Sequence, residues 1–378
     1  MRKIQMVDLK NQYSFIKDEV QDSIKKVLDT TSFINGPAVK SFQEDLEKYL
    51  GVKHVIPCAN GTDALQIALM GLKLKPGDEV ITSDFTFAAT VEVISLLQLK
   101  PVLIDVEPKT FNIDPKLIEA VITPKTKAII PVHLFGQVAN MDAINEIAKK
   151  NNLYVVEDNA QGIGASYTYE KGLKAMTGTL GHVAATSFFP SKNLGAYGDG
   201  GAIFTNDDKL AYFIRGIVNH GMYERYYHDV VGVNSRLDSI QAAILKVKLK
   251  YLNFYNERRK EAANRYTKLL SNHPNIITPY RAGSCDSHVF HQYTLRIINA
   301  DRDALVKKLN EHKIPCGVYY PVPLHRQKAY ADPKVNETDF PVTNQLVKEV
   351  ISLPMHSELT HDQIEFIAEK VILFLSSN

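Results

Sequence analysis

Three cysteines in 378 residues, Cys58, Cys285 and Cys316, are too few and too far apart to build a disulfide framework or a CxxC metal knuckle. Reduced thiols in a cytoplasmic protein are the expectation. The twelve histidines include no HExxH or comparable ligand spacing, which argues against a metal hydrolase and predicts no metal site. An excess of either charge is also missing. Lys plus Arg total 44 against 42 for Asp plus Glu, and the resulting +2 gives no electrostatic footprint for nucleic acid or an anionic membrane. Local basic runs such as residues 246–250 read as the solvated face of a helix. No apolar run approaches the roughly 18 residues that a membrane span needs. The first residues, Met1-Arg-Lys-Ile-Gln-Met-Val-Asp8, lack the apolar h-region of a signal peptide.

What is present is an ordinary globular composition, 45% hydrophobic and 23% charged, on a chain too long for one core to keep growing. One large and one smaller domain are therefore expected. From about residue 50, short apolar runs alternate with amphipathic stretches. Strands are predicted at 54–58, 79–82, 101–105, 127–132 and 153–157. Helices are predicted at 61–72, 86–97, 115–122 and 141–150. Such alternation implies βαβ units, hence a mainly parallel sheet with helices on both faces. The pattern then changes. Leu237, Ile240, Ile244, Val247, Tyr251 and Phe254 recur at spacings of three and four without Gly or Pro, which predicts one long helix over 236–271. Beyond it, strands are predicted at 289–297 and 317–320 and helices at 302–312 and 362–374. The domain boundary is placed inside the long helix, giving a large domain over 1–250 and a small α+β domain over 251–378.

Ligands of an open parallel sheet sit beyond the carboxyl ends of its strands, and four segments fall there. Asn60-Gly61-Thr62-Asp63 joins a strand to a helix; its N–H groups suit a phosphate, and a plain N-cap is the alternative. Asp158 ends a strand, where a carboxylate can keep a pyridine nitrogen protonated and the ring an electron sink. Lys192 precedes a glycine-rich loop and follows Ser187 by five residues, an arrangement suited to an imine-forming amine near a phosphate; an ordinary surface lysine is the alternative. The glycines at 195, 198, 200 and 201 match neither G-x-G-x-x-G nor G-x-x-x-x-G-K-[ST], so dinucleotide and P-loop readings are rejected. Phe87 follows another strand, where an aromatic can stack on a planar ring or simply start a helix core. His133 lies close by and reads more simply as a satisfied strand histidine. Each feature is weak by itself; they gain weight by occurring in this order on the strand ends of one sheet.

At Lys192 the chain becomes familiar. It resembles the DegT/DnrJ/EryC1/StrS family of nucleotide-sugar aminotransferases along nearly its whole length. Matching segments include Phe33-Ile-Asn-Gly-Pro37, Asn60-Gly-Thr-Asp-Ala-Leu65, Asp84-Phe-Thr-Phe-Ala-Ala-Thr90, Val132-His-Leu-Phe-Gly136, Glu157-Asp-Asn-Ala-Gln161, Ser187-Phe-Phe-Pro-Ser-Lys-Asn-Leu-Gly195, Asn234-Ser-Arg-Leu-Asp238 and Leu353-Pro-Met-His356. The resemblance implies an α/β fold of the aspartate-aminotransferase type (fold type I), pyridoxal 5′-phosphate (PLP) as cofactor, and a homodimer with sites shared across the interface. It implies Lys192 as the Schiff-base lysine, Asp158 on the pyridinium nitrogen, Gln161 on the ring hydroxyl and Phe87 on the ring face. Gly61, Thr62 and Ser187 are implied to hold the phosphate, with Asn234 reaching it from the partner subunit.

Within the family the likeness is to enzymes that convert UDP-2-acetamido-2-deoxy-3-oxo-glucuronate to the 3-amino sugar with L-glutamate as donor. That implies a role in surface polysaccharide or lipopolysaccharide O-antigen synthesis. One departure leaves the sugar open: those enzymes carry His-Tyr-Pro where this chain has Tyr319-Tyr320-Pro321, in a segment implied to touch substrate. Tyr320 lines a sugar pocket or packs a core. Arg236 holds a substrate carboxylate bidentately or forms a structural ion pair at the dimer interface. Two alternatives stand beside this reading. One is a dTDP-3-keto-6-deoxyhexose 3-aminotransferase, whose substrate has no carboxylate. The other, of a different class, is a PLP-bound regulator without turnover.

Overall fold

The computed structural model describes residues 2–283, 286–333 and 335–376; Cys285 lies outside the described residues. Its centre is a seven-stranded sheet built from β1 (His54–Cys58), β2 (Glu79–Ser83), β3 (Lys100–Ile104), β4 (Thr126–Ile130), β5 (Tyr154–Asp158), β6 (Val183–Ser187) and β7 (Gly201–Thr205). The spatial order is β1-β7-β6-β5-β4-β2-β3, with β7 antiparallel to both its neighbours and every other pairing parallel. The predicted mainly parallel sheet is therefore present. Strand β2, Glu-Val-Ile-Thr-Ser, is buried along its whole length, as expected of a strand covered on both faces.

Helices cover the sheet. Helix α3 (Gly61–Gly71) buries Ala64, Leu65, Ile67, Ala68 and Leu69 and ends against Leu210 and Ile214 of a later helix. Two N-terminal helices, α1 (Leu9–Thr30) and α2 (Pro37–Leu50), were outside the sequence reading. Their caps are legible in retrospect: the Asp8 side chain accepts the N–H of Asn11, and Pro37 opens α2 while Gly51, with φ of 70°, closes it. The other helices of eight or more residues are α4 (Ala89–Leu96), α5 (Met141–Asn151), α6 (Asp208–Ile217), α7 (Ser239–Leu249), α8 (Leu252–Leu270), α9 (Arg302–Glu311), α10 (Pro341–Glu349) and α11 (His361–Ser376), and the predicted helix at 115–122 is a single turn, Pro115–Ile118, continued by a 3-10 turn, Glu119–Val121.

The long helix expected over 236–271 is two helices, α7 and α8, separated at Lys250 and Tyr251. The N–H groups of Lys250 and Tyr251 reach back only three residues, to Val247 and Lys248, so the chain tightens there and its register rotates. The buried stripe of α8 is consequently Leu252, Tyr255, Arg259, Ala262, Ala263, Tyr266 and Leu270. Phe254, read as part of the stripe, is exposed and lies against Phe15 at 6.2 Å. Ile16 and Val20 of α1 pack on Ile244 and Val247 of α7, while Phe42 and Leu46 of α2 pack with Leu245 and Leu249.

The C-terminal part holds an antiparallel sheet of β8 (Ile276–Ile277), β9 (Tyr293–Ile297) and β10 (Val350–Leu353), with β9 in the middle. Its core joins α8, α9 and α11, and Ile4 from the chain start belongs to it. Two predictions fail locally. Residues 289–292 are not strand: Val289 and Gln292 bond to Gly136 and Phe135 in the large-sheet part. Residues 317–320 form no strand either. Gly317 alone pairs with Ser352, because the ring of Tyr319 folds back to within 2.6 Å of where a Cβ on Gly317 would stand.

Buried ionic and polar bonds tie these layers together. Arg259 of α8 donates to the carbonyls of Phe290, His291 and Met355 at 3.1, 3.3 and 3.0 Å. Asp105, just beyond β3, accepts the N–H groups of Val342 and Thr343 at 2.7 and 2.9 Å and so caps α10, which has no cap of its own. Glu157 in β5 is fully buried and accepts four bonds, from Gly178, Leu180 and Gly181 N–H groups and from His133 Nε2 at 2.9 Å. Glu157→Gln would turn two acceptor lone pairs into donors facing donors. Its expected cost is on the order of 3 kcal/mol, read as a lower urea midpoint, and an unchanged midpoint refutes the role given to Glu157.

Candidate functional site

The carboxyl edge of the large sheet gathers the predicted residues. Lys192 follows β6 in a turn closed by its own N–H on Phe189 O at 2.8 Å. It is half-buried, and desolvation of its amine pushes the pKa down to about 8 against the opposing pull of Asp158. The neighbouring Asn193, which sequence reasoning missed, is fully engaged. Its amide donates to Asn256 Oδ1 at 2.8 Å and Val289 O at 3.1 Å, and its oxygen lies 3.3 Å from His291 Nδ1. The lysine is therefore anchored from α8 and from segment 289–291 together. His291 titrates well below the ordinary histidine range, chiefly through burial, with Lys192 and Arg259 adding to the effect. No local signal marks Asn193 in the sequence, because its partners lie 63 and 96 residues away.

Asp158 ends β5 and is buried. Its Oδ2 accepts from Thr90 Oγ1 at 2.8 Å and its Oδ1 from Ala160 N at 3.1 Å. Burial pushes its carboxyl up, while those two bonds and Lys192 pull it back. A carboxylate oxygen has more than one lone pair, so Asp158 retains acceptor capacity for a further donor. Thr90, at the start of α4, was not singled out from the sequence. Gln161 is oriented at both ends: Oε1 accepts the N–H of Phe135 at 2.6 Å and Nε2 donates to the Tyr320 hydroxyl at 3.3 Å. His133 is the satisfied histidine expected. Its Nδ1 accepts from Ala139 N at 3.3 Å, which leaves the ring proton on Nε2 for Glu157.

The N-terminus of α3 faces Ser187. Asn60 caps it by accepting Asp63 N at 2.8 Å, and Ala64 N closes on Asn60 O. The N–H groups of Gly61 and Thr62 precede the first intrahelical acceptor and point along the helix dipole. A Cβ at Gly61 would stand 2.6 Å from Ser187 Cβ, so glycine alone lets the two segments approach. Ser187 Oγ accepts from Phe189 N at 3.2 Å and keeps its own proton to donate. Asp63 turns away from this cradle to accept from Ser235 Oγ at 2.6 Å, and Ser235 in turn accepts Ala59 N. That contact fastens the segment carrying Asn234 and Arg236 to the first turn of α3. Asn234 is exposed. Arg236 is half-buried, forms no ion pair within the chain among the described residues, and reaches only Asn219 Oδ1 at 3.5 Å.

Aromatic rings wall the cleft. Phe87 is 57% exposed, which leaves a face free for a planar partner. Tyr320 lies among Phe85, Phe87 and Phe135 at 5.9, 6.3 and 6.5 Å. Tyr319 is folded onto Gly317 and meets Tyr320 edge-on at 6.2 Å. A surface groove of about 570 Å³ between Lys109, Asp142, Tyr167 and Tyr280 contains none of these residues. No cluster of metal ligands occurs among the described residues.

The donor set fits a phosphorylated pyridine aldehyde: an anion cradle at Gly61, Thr62 and Ser187, an easily deprotonated amine at Lys192, and a buried carboxylate with spare acceptor capacity at Asp158. Comparison with known proteins agrees. The DegT/DnrJ/EryC1/StrS aminotransferase family matches residues 14–372. A UDP-2-acetamido-2-deoxy-3-oxo-D-glucuronate aminotransferase from Pseudomonas aeruginosa is 49% identical, over 96% of this chain and 98% of its own. A pleiotropic regulatory protein from Geobacillus stearothermophilus is 47% identical over 98% of both chains. Among solved structures, a family aminotransferase from Brucella abortus superposes with a TM-score of 0.93 at 40% identity, covering 98% of this chain and 99% of that one. NtdA from Bacillus subtilis, with bound cofactor PMP, superposes with a TM-score of 0.89 at 32% identity, covering 100% of this chain and 86% of that one. The chain belongs to the DegT/DnrJ/EryC1/StrS aminotransferase family and is a PLP-dependent aminotransferase.

Proposed function

We propose that this enzyme transfers the amino group of L-glutamate to UDP-2-acetamido-2-deoxy-3-oxo-glucuronate, giving the 3-amino sugar for surface polysaccharide or lipopolysaccharide O-antigen synthesis in the cytoplasm. The observation that carries the chemistry is the desolvated Lys192 amine standing with buried Asp158 beside the Gly61–Ser187 cradle. The sugar rests on the likeness to the Pseudomonas aeruginosa enzyme.

When bound, PLP supplies an aldehyde that captures amines and a ring that takes up electron density. The chain supplies the rest. The Gly61 and Thr62 N–H groups, the Ser187 hydroxyl and Asn234 of the partner subunit hold the phosphate. Asp158 keeps the ring nitrogen protonated, and Phe87 packs on the ring face. Gln161, fixed by Phe135 N and Tyr320, directs its amide at the ring hydroxyl. With the cofactor bound, the Lys192 Nζ would take a proton from the donor's α-carbon and return it later in the exchange, a role its lowered pKa suits. Glutamate leaves as 2-oxoglutarate, and the sugar's 3-keto carbon receives the amine.

Arg236 serves the carboxylate of glutamate or of the uronate, since it has no acidic partner within its own chain among the described residues. Exposed Phe189, Tyr226, Tyr227 and Val231 lie near it in sequence or beside the Lys192 turn, and they support a homodimer that covers them. We also place the division between the large and small domains near residue 250, where α7 gives way to α8.

Three measurements test this reading. Purified protein with PLP, glutamate and the 3-keto uronate should form the amino sugar by mass spectrometry, and Lys192→Ala should form none. If glutamate alters the cofactor absorbance but only a dTDP-3-keto-6-deoxyhexose is aminated, the uronate assignment fails while the transaminase reading holds. No absorbance change with any amino donor favours a regulator without turnover. In cofactor-free protein, competitive acetylation of Lys192 should rise with pH around a midpoint near 8, about two units below exposed lysines. A midpoint matching surface lysines refutes the desolvated amine. Lastly, inactive Lys192→Ala and Arg236→Ala dimers, mixed and exchanged, should regain about a quarter of wild-type activity, because half of the dimers become mixed and each mixed dimer carries one intact shared site of its two. No recovery in demonstrably exchanged dimers sinks the shared-site arrangement.

A further inference from the structure

Two segments reach the cleft from opposite parts of the chain. Residues 84–90 leave β2 and carry Phe87, whereas residues 318–326 belong to the C-terminal part and carry Tyr320. They are joined behind the aromatic wall by one histidine. His325 Nδ1 lies 2.7 Å from Asp84 Oδ2, and its backbone N–H donates to Asp84 Oδ1 at 2.7 Å. Leu324 N donates to Asp84 O at 3.2 Å. The other ring nitrogen, Nε2, lies 3.2 Å from Glu337 Oε2. The ring is stacked on Phe340 at 4.5 Å and 11°. Asp84 is fully buried and His325 nearly so, which keeps water from replacing the bonds.

Each ring nitrogen therefore has a carboxyl oxygen opposite it, and the ring is held at both ends. Arg326 pairs with Glu337 from the outer side, and burial, with Asp105 nearby, raises the Asp84 carboxyl above its ordinary range. The clasp sits three residues from Phe87 and five from Tyr320. Those two rings are in contact, with centroids 6.3 Å apart. Nothing else bonds segment 322–326 to segment 84–87 among the described hydrogen bonds.

We propose that His325 is a positioning residue that, bridging Asp84 and Glu337, fixes where Tyr320 stands over the cleft and thereby the affinity for the sugar ring. The proposal deepens the aminotransferase reading and rests on it. The glutamate exchange turns on Lys192, Asp158 and the phosphate cradle, none of which is bonded to the clasp. The two half-reactions should therefore respond differently.

The test uses PLP-loaded wild type, His325→Gln, Asp84→Asn and the double variant. Each is assayed for the glutamate half-reaction by cofactor absorbance and for the nucleotide-sugar KM in full turnover. Expected are a roughly tenfold rise in sugar KM for either single variant, a glutamate half-reaction within about twofold of wild type, and a double variant no worse than the singles, because both remove one shared contact. If Asp84→Asn, at a fully buried site, does not fold, His325→Gln with Glu337→Gln completes the same cycle at the exposed end. Equal losses in both half-reactions, or additive effects in the double variant, overturn the proposal in favour of a merely structural clasp. Wild-type enzyme that responds to glutamate but aminates neither the uronate nor the 6-deoxy sugar overturns the substrate reading and this proposal with it. Wild type inert to every donor instead refutes the transaminase reading, and is seen before any variant is compared.

Discussion

An amine stripped of water releases its proton readily, and a carboxylate stripped of water seeks a cation. The pairing of Lys192 with Asp158 places both effects at the ends of adjacent parallel strands, β6 and β5. Much of the surrounding structure serves to keep that pair dry and fixed. Asp158 is braced by Thr90 and Ala160, Lys192 by the turn to Phe189, and the residue after the lysine by Asn256, Val289 and His291. Behind Asp158, Glu157 absorbs four donors and locks His133 as a neutral ring. Two adjacent buried carboxylates in β5 thus have opposite duties. Glu157 is saturated by the protein and is structural, whereas Asp158 is left with capacity for a ligand.

The same division explains what was legible in the sequence. Strand–helix alternation, the parallel sheet and the residues at its carboxyl edge follow from short-range signals: apolar periodicity, a cap at Asn60, and a lysine before glycines. Lys192, Asp158, Gln161, Gly61 and Ser187 converge as expected because each sits within a few residues of a strand end whose place in the sheet is set by the alternation. The residues that were missed act over distance. Thr90 meets Asp158 across 68 positions, and Asn193 meets Val289 across 96. The break at Lys250 has no Gly or Pro to announce it. It arises because α7 must bury one face on α1 and α2 while α8 must bury another in the C-terminal core, a tertiary demand that overrides local helix propensity. The misread strand at 317–320 fails for a similar reason, since Tyr319 finds its contact on Gly317 rather than across a sheet.

The C-terminal part is fastened to the sheet by charged groups as well as by apolar packing. Asp105 caps α10 from the end of β3, Asp84 holds His325 from the end of β2, and Arg259 holds three carbonyls from α8. Apolar contact alone tolerates sliding, because the hydrophobic effect is non-directional. Hydrogen bonds from buried charges do not, since a small displacement leaves a desolvated group unpaired. The acids at Asp84 and Asp105 lie on neighbouring strands at the same edge of the sheet that carries Asp158. The register of the sheet therefore fixes the site and, through these clasps, the angle at which Tyr320 is presented to it. A cleft whose walls are built on separate parts of the chain needs such directional fastening, because Gln161 completes its bonding only when the Tyr320 hydroxyl is within reach.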